Sequence, residues 1–163
     1  MSQHIGAPCT PVVQKGDRVL MGQVLGTSEA FVSAPVHSTV SGTVMAIEPR
    51  PHPNGTKVMS VIVENDFLDE KVETIKEYDD IDALTKEEKL ALIKDAGIVG
   101  HGGATFPTFI KLSPPADKKI DYCIVNGAEC EPYLTSDYRV MVEKPELMFK
   151  GLKQIMHILG VEK

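Results

Sequence analysis

The sequence predicts an α+β chain of two modules: an all-β unit over residues 1–65 and an α/β half over residues 85–163, joined by an acidic linker at 66–84. Three observations carry this. Residues 1–65 are short β-branched runs broken by glycine, proline and asparagine, with no helical period. Two later stretches, opening at Thr85 and Pro145, place apolar residues at helical spacing between a start and a stop signal. Between the modules, residues 64–82 hold nine acids against two lysines, which accounts for the net charge of −6 of the whole chain.

The chain has 163 residues, enough for one ordinary domain or two small ones. At 42% hydrophobic and 25% charged, it can bury a core. Trp is absent, so that core is mainly aliphatic. No apolar run approaches the roughly 18–20 residues that cross a bilayer, and no signal-peptide pattern opens the chain. The acidic total lacks a basic stripe, which argues against nucleic acid as a partner. Cys9, Cys123 and Cys130 have no C-x-x-C spacing, which speaks against a disulfide framework and predicts no metal site built from this stretch alone. A reducing compartment is the simplest setting.

In the first module the predicted strands are Pro11–Val13, Val19–Met21, Val24–Leu25, Thr43–Ile47 and Val58–Val63, with Asn54-Gly55 as a tight turn before the last. Pro49, Pro51 and Pro53 keep the approach to that turn out of any helix. Residues 12–26 and 31–47 look like imperfect copies, neither able to bury its apolar face alone. The arrangement resembles the barrel-sandwich hybrid, or lipoyl/biotinyl-like, domain. Carrier members of that family present a lysine at a hairpin turn, yet no lysine stands between 16 and 56, and Ser28–Val32 occupies the matching place. The module is therefore read as structural or docking.

In the second module Thr85 and Glu88 form a capping box, Leu90, Ile93 and Ala96 (with Leu92 flanking) give the apolar stripe, and Gly97 is the stop. Ile120–Val125 reads as a buried strand ending at Asn126-Gly127. A final helix opens at Pro145, carries Met148, Phe149, Leu152, Ile155, Met156 and Leu159, and stops at Gly160. One strand is no sheet, so this half reads as incomplete.

Two segments carry chemistry. Ile98–Thr108, reading IVGHGGATFPT, bunches glycines whose backbone N–H groups could approach a ligand closely, with a helix starting just after. It fits neither a dinucleotide fingerprint nor a Walker loop, so alone it is a phosphate site or a tight turn. Val125–Tyr133, reading VNGAECEPY, places an amide and two carboxylates at a strand end, where open α/β sheets bind ligands; solvated acids on a turn are the alternative.

Together the segments resemble the flavin-binding part of the complex I flavin subunit, with its G-x-G-G-A-G-F-P-T loop followed by N-A-D-E-S-E-P. With the sandwich module and the opening SQHIGAPC, the resemblance narrows to the C-subunit family of the Rnf electron-transport complex, a bacterial ion-translocating NADH:ferredoxin oxidoreductase. The resemblance implies that Gly100, Gly102 and Gly103 line an FMN site and that Lys111 supplies a cation to the FMN. It places Phe106 near the nicotinamide of NADH and Asn126 against the flavin ring. Glu129 and Glu131 would lie in the hydride-transfer pocket, with Glu131 foremost. His101, Thr105 and Ala128 depart from the complex I pattern, where Arg, Gly and Asp stand, and Cys130 takes a Ser position with no redox role.

The family also implies iron–sulfur clusters in a C-terminal region beyond residue 163, and it implies ferredoxin and other Rnf subunits as partners. The expected location is the cytoplasmic face of the membrane, held there through the complex, with no direct membrane span. The chain is thus read as part of a longer protein, binding FMN poorly by itself. Alternatives are a soluble flavin electron carrier of the amino-acid reductase or microcompartment cobalamin reductase type, or a non-catalytic docking module.

Overall fold

The structure, a computed structural model, describes residues 1–73, 78, 80–101 and 103–163. The described residues form two compact units. The first comprises 1–79 and 92–108, and the second comprises 80–91 and 109–163.

In the first unit six strands are described: β1 (Thr10–Pro11), β2 (Arg18–Val19), β3 (Val24–Thr27), β4 (Val36–His37), β5 (Gly42–Pro51) and β6 (Lys57–Asn65). They make two antiparallel three-stranded sheets, ordered β1-β3-β4 and β2-β5-β6. Val19, Leu25, Val36 and Val44 form the centre of the core together with Met1, Cys9 and Val13, and Ile47, Val61 and Val63 pack against it. The core is aliphatic, as expected.

The β5–β6 hairpin explains its own prolines. At Asn54-Gly55, Asn54 Oδ1 accepts from the Thr56 amide at 3.0 Å, and Gly55 takes φ +84°. His52 N–H donates to the Thr56 carbonyl at 2.8 Å. Antiparallel pairs alternate between bonded and non-bonded, so Arg50↔Val58 and Glu48↔Ser60 are the bonded pairs. Pro51↔Lys57 and Pro49↔Met59 are the non-bonded ones, where an N–H is not needed. Because β2 pairs only with residues 42–43 of β5, the prolines lie on an edge, the place where strands tolerate them. At the other end of β5, Gly42 has φ +155°, and a Cβ there would stand 1.9 Å from the Glu64 carbonyl oxygen.

The acidic linker begins later than its composition predicts. Met21 N–H donates to the Glu70 carbonyl and Val72 N–H to the Met21 carbonyl, while Arg18 reaches Asp66 at 2.9 Å and Glu70 at 3.0 Å. The hydrogen bond from Ser41, helped by the Leu68 amide and by Arg18, holds the Asp66 carboxyl below the ordinary carboxylate range. Through Val72 the chain is therefore tied to the β unit. Residues 74–77 and 79 of the linker lie outside the described residues.

The helices are α1 (Lys86–Asp95), α2 (Thr108–Lys111), α3 (Ser136–Glu143) and α4 (Pro145–Leu159). The capping box forms: Thr85 Oγ1 accepts from Glu88 N–H at 3.3 Å, and Glu88 Oε2 accepts from Thr85 N–H at 2.8 Å. These bonds lower the Glu88 carboxyl. Gly97, at φ +66°, ends the turn after α1 by donating to the Lys94 carbonyl.

The stripe predicted on α1 needs correction. Leu90 and Ile93 are half-buried and Ala96 is exposed, while the most buried residue is Lys89, at 2% exposure. Its ammonium donates to His157 Nδ1 of α4 at 2.6 Å, and a lysine can bury its stem once the head finds an acceptor. Nearby, Lys153 and then Gln154 hydrogen-bond Asp82 and hold its carboxyl at about 2.

On α4 both ends fall where expected, with Pro145 in the first turn and Gly160 left-handed at φ +68°. Ile158 is its most buried residue, whereas Phe149, predicted to face inward, is 60% exposed. The helix α3 was not predicted. Ile120–Val125 is not a strand: Tyr122, Ile124 and Val125 are exposed, and the segment's one described backbone bond runs from Cys123 N–H to the Lys163 carbonyl. A strand exists only through a partner, and none of the described residues offers one.

Candidate functional site

The glycine loop is a closed structure carried by the first unit. Val99 bridges Pro107, Gly100 N–H donates to the Phe106 carbonyl at 2.9 Å, and Thr108 N–H donates to the Ile98 carbonyl at 3.0 Å. Pro107 is fully buried and Phe106 half-buried, so the base of the loop is fixed. The Gly100 N–H is spent on this closure and has no free hydrogen for a ligand. Gly103, at φ +74° with open space on its Cβ side, lies at the tip, and Gly102 lies outside the described residues. The helix α2 that follows has only four residues, too short for a useful dipole. Lys111 at its end is exposed, and its ammonium has no hydrogen bond or ion pair among the described residues.

Sequence reasoning missed what anchors this loop. Ile5 N–H donates to the Ala104 carbonyl at 3.1 Å, tying the tip to the opening segment. That segment is itself pinned. His4 Nε2 accepts from Ala34 N–H at 3.1 Å, Cys9 Sγ donates to the Ala34 carbonyl at 3.1 Å, and Ser33 Oγ donates to the Ala7 carbonyl at 3.0 Å. His4, Cys9 and Ser33 are all buried. The available signal was the run QHIGAPC itself, which packs a histidine, a glycine and a cysteine into seven residues.

Thr105 occupies the left-handed region at φ +51°, which is costly for a β-branched side chain. Thr105→Gly is expected to raise stability by about 1 kcal/mol, near the low end of what such strain stores. Thermal unfolding of the two proteins measures it; an unchanged or lower midpoint means the strain is compensated locally.

The second segment belongs to the second unit. Asn126 Oδ1 accepts from Ala128 N–H at 3.0 Å, which turns the chain, and its amide N–H groups have no partner among the described residues. A bend at Cys130–Glu131 and a turn at Pro132–Tyr133 follow, so the two carboxylates do not share one side of an extended strand. Glu129 instead faces α3. It accepts from Tyr138 N–H at 2.9 Å, satisfying one orphan donor of the first turn, and from the Ser136 hydroxyl at 3.4 Å. Glu131 is exposed and its carboxylate is unpaired among the described residues. Thus Gly100, Gly103 and Phe106 sit in the first unit, and Lys111, Asn126, Glu129 and Glu131 in the second. Among the described residues no three His, Cys, Asp or Glu side chains gather as a metal site, and no helix is long and apolar enough to cross a membrane.

What these pieces define is clear from known families. Residues 1–68 match the RnfC barrel sandwich hybrid domain, and residues 93–163, which include both chemistry-bearing segments, match the Nuo51 FMN-binding domain. The class is therefore a barrel sandwich hybrid domain followed by part of a domain of the Nuo51 FMN-binding family. Over all of its length the chain is 52% identical to the C-subunit of the Na(+)-translocating ferredoxin:NAD(+) oxidoreductase complex of Acetobacterium woodii. Over 99% of its length it is 52% identical to the proton-translocating counterpart of Clostridium ljungdahlii. It is 38% identical over its whole length to the C-subunit of the ion-translocating oxidoreductase complex of Haemophilus influenzae. The chain belongs to the C-subunit family of the Rnf complex. It covers 37%, 35% and 25% of those three relatives, about a third of their length or less. Two relatives of equal identity are named for different ions, so likeness over this stretch does not assign the coupling ion.

Proposed function

We propose that this chain forms the FMN-holding, NADH-facing part of an electron-transfer protein in a membrane-bound, ion-translocating NADH:ferredoxin oxidoreductase. The electrons leave toward iron–sulfur clusters outside residues 1–163 and on to ferredoxin, at the cytoplasmic face beside the other Rnf subunits. The single observation that supports it most is the match of residues 93–163 to an FMN-binding domain, because that stretch contains both the glycine loop and the amide-carboxylate segment.

The donor set suits the group. FMN needs a cation for its phosphate, and Lys111 is an ammonium without an ion pair among the described residues. Its ring edge needs a donor and acceptor, and Asn126 keeps both amide hydrogens available. The open tip at Gly103 permits close backbone approach. Bound flavin supplies the two-electron to one-electron exchange; the protein supplies position and electrostatics. Glu131 orients the nicotinamide end through its exposed carboxylate. Glu129 acts through α3, holding Ser136 and Tyr138 and thereby the shape of the segment.

The test is flavin stoichiometry and NADH-driven reduction of an artificial acceptor by the full-length protein. One FMN per chain is expected. Glu131→Gln should keep the flavin and lower NADH oxidation by roughly 10- to 100-fold, the size of one transition-state contact. The 1–163 piece should not retain stoichiometric flavin. A full-length protein that binds no flavin refutes the reading and leaves the docking role.

A further inference from the structure

The opening segment and the tip of the glycine loop meet at one carbonyl. Ile5 N–H donates to the Ala104 carbonyl at 3.1 Å, and the Thr105 hydroxyl donates to the same oxygen at 2.6 Å. The Ala104–Thr105 peptide is trans and planar, so a carbonyl held from the Ile5 side turns the Thr105 N–H the opposite way. The N–H groups of Gly103, Ala104 and Thr105 have no acceptor among the described residues. The tip thus carries unspent donors on a backbone whose direction is set from outside the loop.

What sets it is a buried histidine. His4 is 8% exposed. Its Nδ1 lies 3.0 Å from the Ile5 carbonyl, a group that only accepts, so Nδ1 carries the hydrogen and Nε2 offers its lone pair to the Ala34 N–H at 3.1 Å. One ring therefore ties Ile5, by its carbonyl, to the backbone at Ala34 and leaves the Ile5 amide to Ala104. Two further bonds hold the segment down. Ala7 N–H donates to the Val32 carbonyl at 2.9 Å, and Cys9 Sγ donates to the Ala34 carbonyl at 3.1 Å. Residues 4–9 lie along residues 32–34 as a strap, and the loop at 98–108 belongs to the same compact unit. An apolar side chain would fill the place of His4 without desolvating two nitrogens. What the imidazole adds is direction, a donor at one edge and an acceptor at the other.

We propose that His4 is a positioning residue for the flavin-holding loop. Acting through Ile5, it sets the Ala104–Thr105 peptide in its binding arrangement before the cofactor arrives, so the β unit supports the flavin site. This rests on the reading of the glycine loop as a wall of that site. A loop already held loses less backbone freedom when FMN binds, and the ordering cost avoided becomes affinity.

Amide exchange and flavin titration of the full-length protein test it. In the flavin-free protein the Ile5 amide is expected to exchange at least about 10-fold more slowly than a free peptide amide, and to change little when FMN is added. His4→Ala is expected to weaken FMN binding about 10-fold, roughly the cost of ordering one residue's backbone. His4→Gln should recover most of that loss, because its side-chain carbonyl reaches the place of Nε2 and accepts from Ala34. Ile5→Pro removes the N–H while leaving His4 in place, and it should weaken FMN binding as much as His4→Ala does. If His4→Ala lowers the unfolding midpoint below the titration temperature, Ile5→Pro, at a 49% exposed position, carries the result. An Ile5 amide that exchanges freely, or slows only once FMN is bound, overturns the proposal whatever the variants do. So does parental affinity in Ile5→Pro, or a His4→Gln variant as weak as His4→Ala, which reduces the ring to core packing. Flavin bound by the parent and unmoved by these changes sinks this inference alone; a parent that binds no flavin sinks the functional reading.

Discussion

Gly42→Val is expected to destabilise the β unit by at least about 3 kcal/mol, a value reserved for substitutions that force backbone atoms apart. Gly42 stands between Val19 of β2 and Asn65 of β6, at φ +155°, with the Glu64 carbonyl 1.9 Å from the place a Cβ would take. The neighbour is main chain inside a sheet, so it cannot swing away as a side chain would. At roughly 4–8 °C per kcal/mol for a domain of this size, the unfolding midpoint should fall by about 12–24 °C. Gly55→Ala is the control. It also has positive φ, at +84°, but open space around it, and should cost only about 1 kcal/mol. Thermal unfolding of the three proteins by circular dichroism decides the matter. A Gly42→Val midpoint within a few degrees of the parent would mean that β5 and β6 can separate there without loss.

The second large effect concerns the cofactor. Lys111→Ala in the full-length protein is expected to weaken FMN binding by about 10- to 100-fold, the equivalent of the 1.5–3 kcal/mol of a hydrogen bond to a charged group. Lys111 is exposed and makes no ion pair among the described residues, so removing it should leave the unfolding midpoint within about 0.5 kcal/mol of the parent. That separation is the readout: flavin affinity falls while the apoprotein stays folded. Lys111→Arg should restore most of the affinity, since the charge is kept. Equal flavin content in the alanine variant would remove Lys111 from the phosphate site.

Much of the fold was legible because its signals are local. The Asn54-Gly55 turn, the Thr85–Glu88 capping box, and the Pro145 and Gly160 boundaries of α4 depend on residues within a few positions of one another. What failed depends on distant partners. Ile120–Val125 has strand composition, but composition cannot supply a neighbouring strand. Lys89 reads as a surface residue until His157, on another helix, gives its ammonium an acceptor. Of the candidate site, the two segments could be found because glycine bunching and an amide-carboxylate cluster are unusual in sequence. That Glu129 is engaged while Glu131 is not could not be read from sequence, because α3, whose first turn occupies Glu129, announces itself only weakly at Thr135–Asp137.

The bond between Ile5 and Ala104 bears on how this protein can be recombined. A chimera cut at the acidic stretch, exchanging one sandwich for a relative's, would hand residues 92–108 a foreign floor. The grafted opening would have to offer an amide at the same height and a backbone turn matching His4 and Ala34. Swaps that carry residues 1–11 and 92–108 as a single inherited block should therefore survive where cuts at the obvious seam do not.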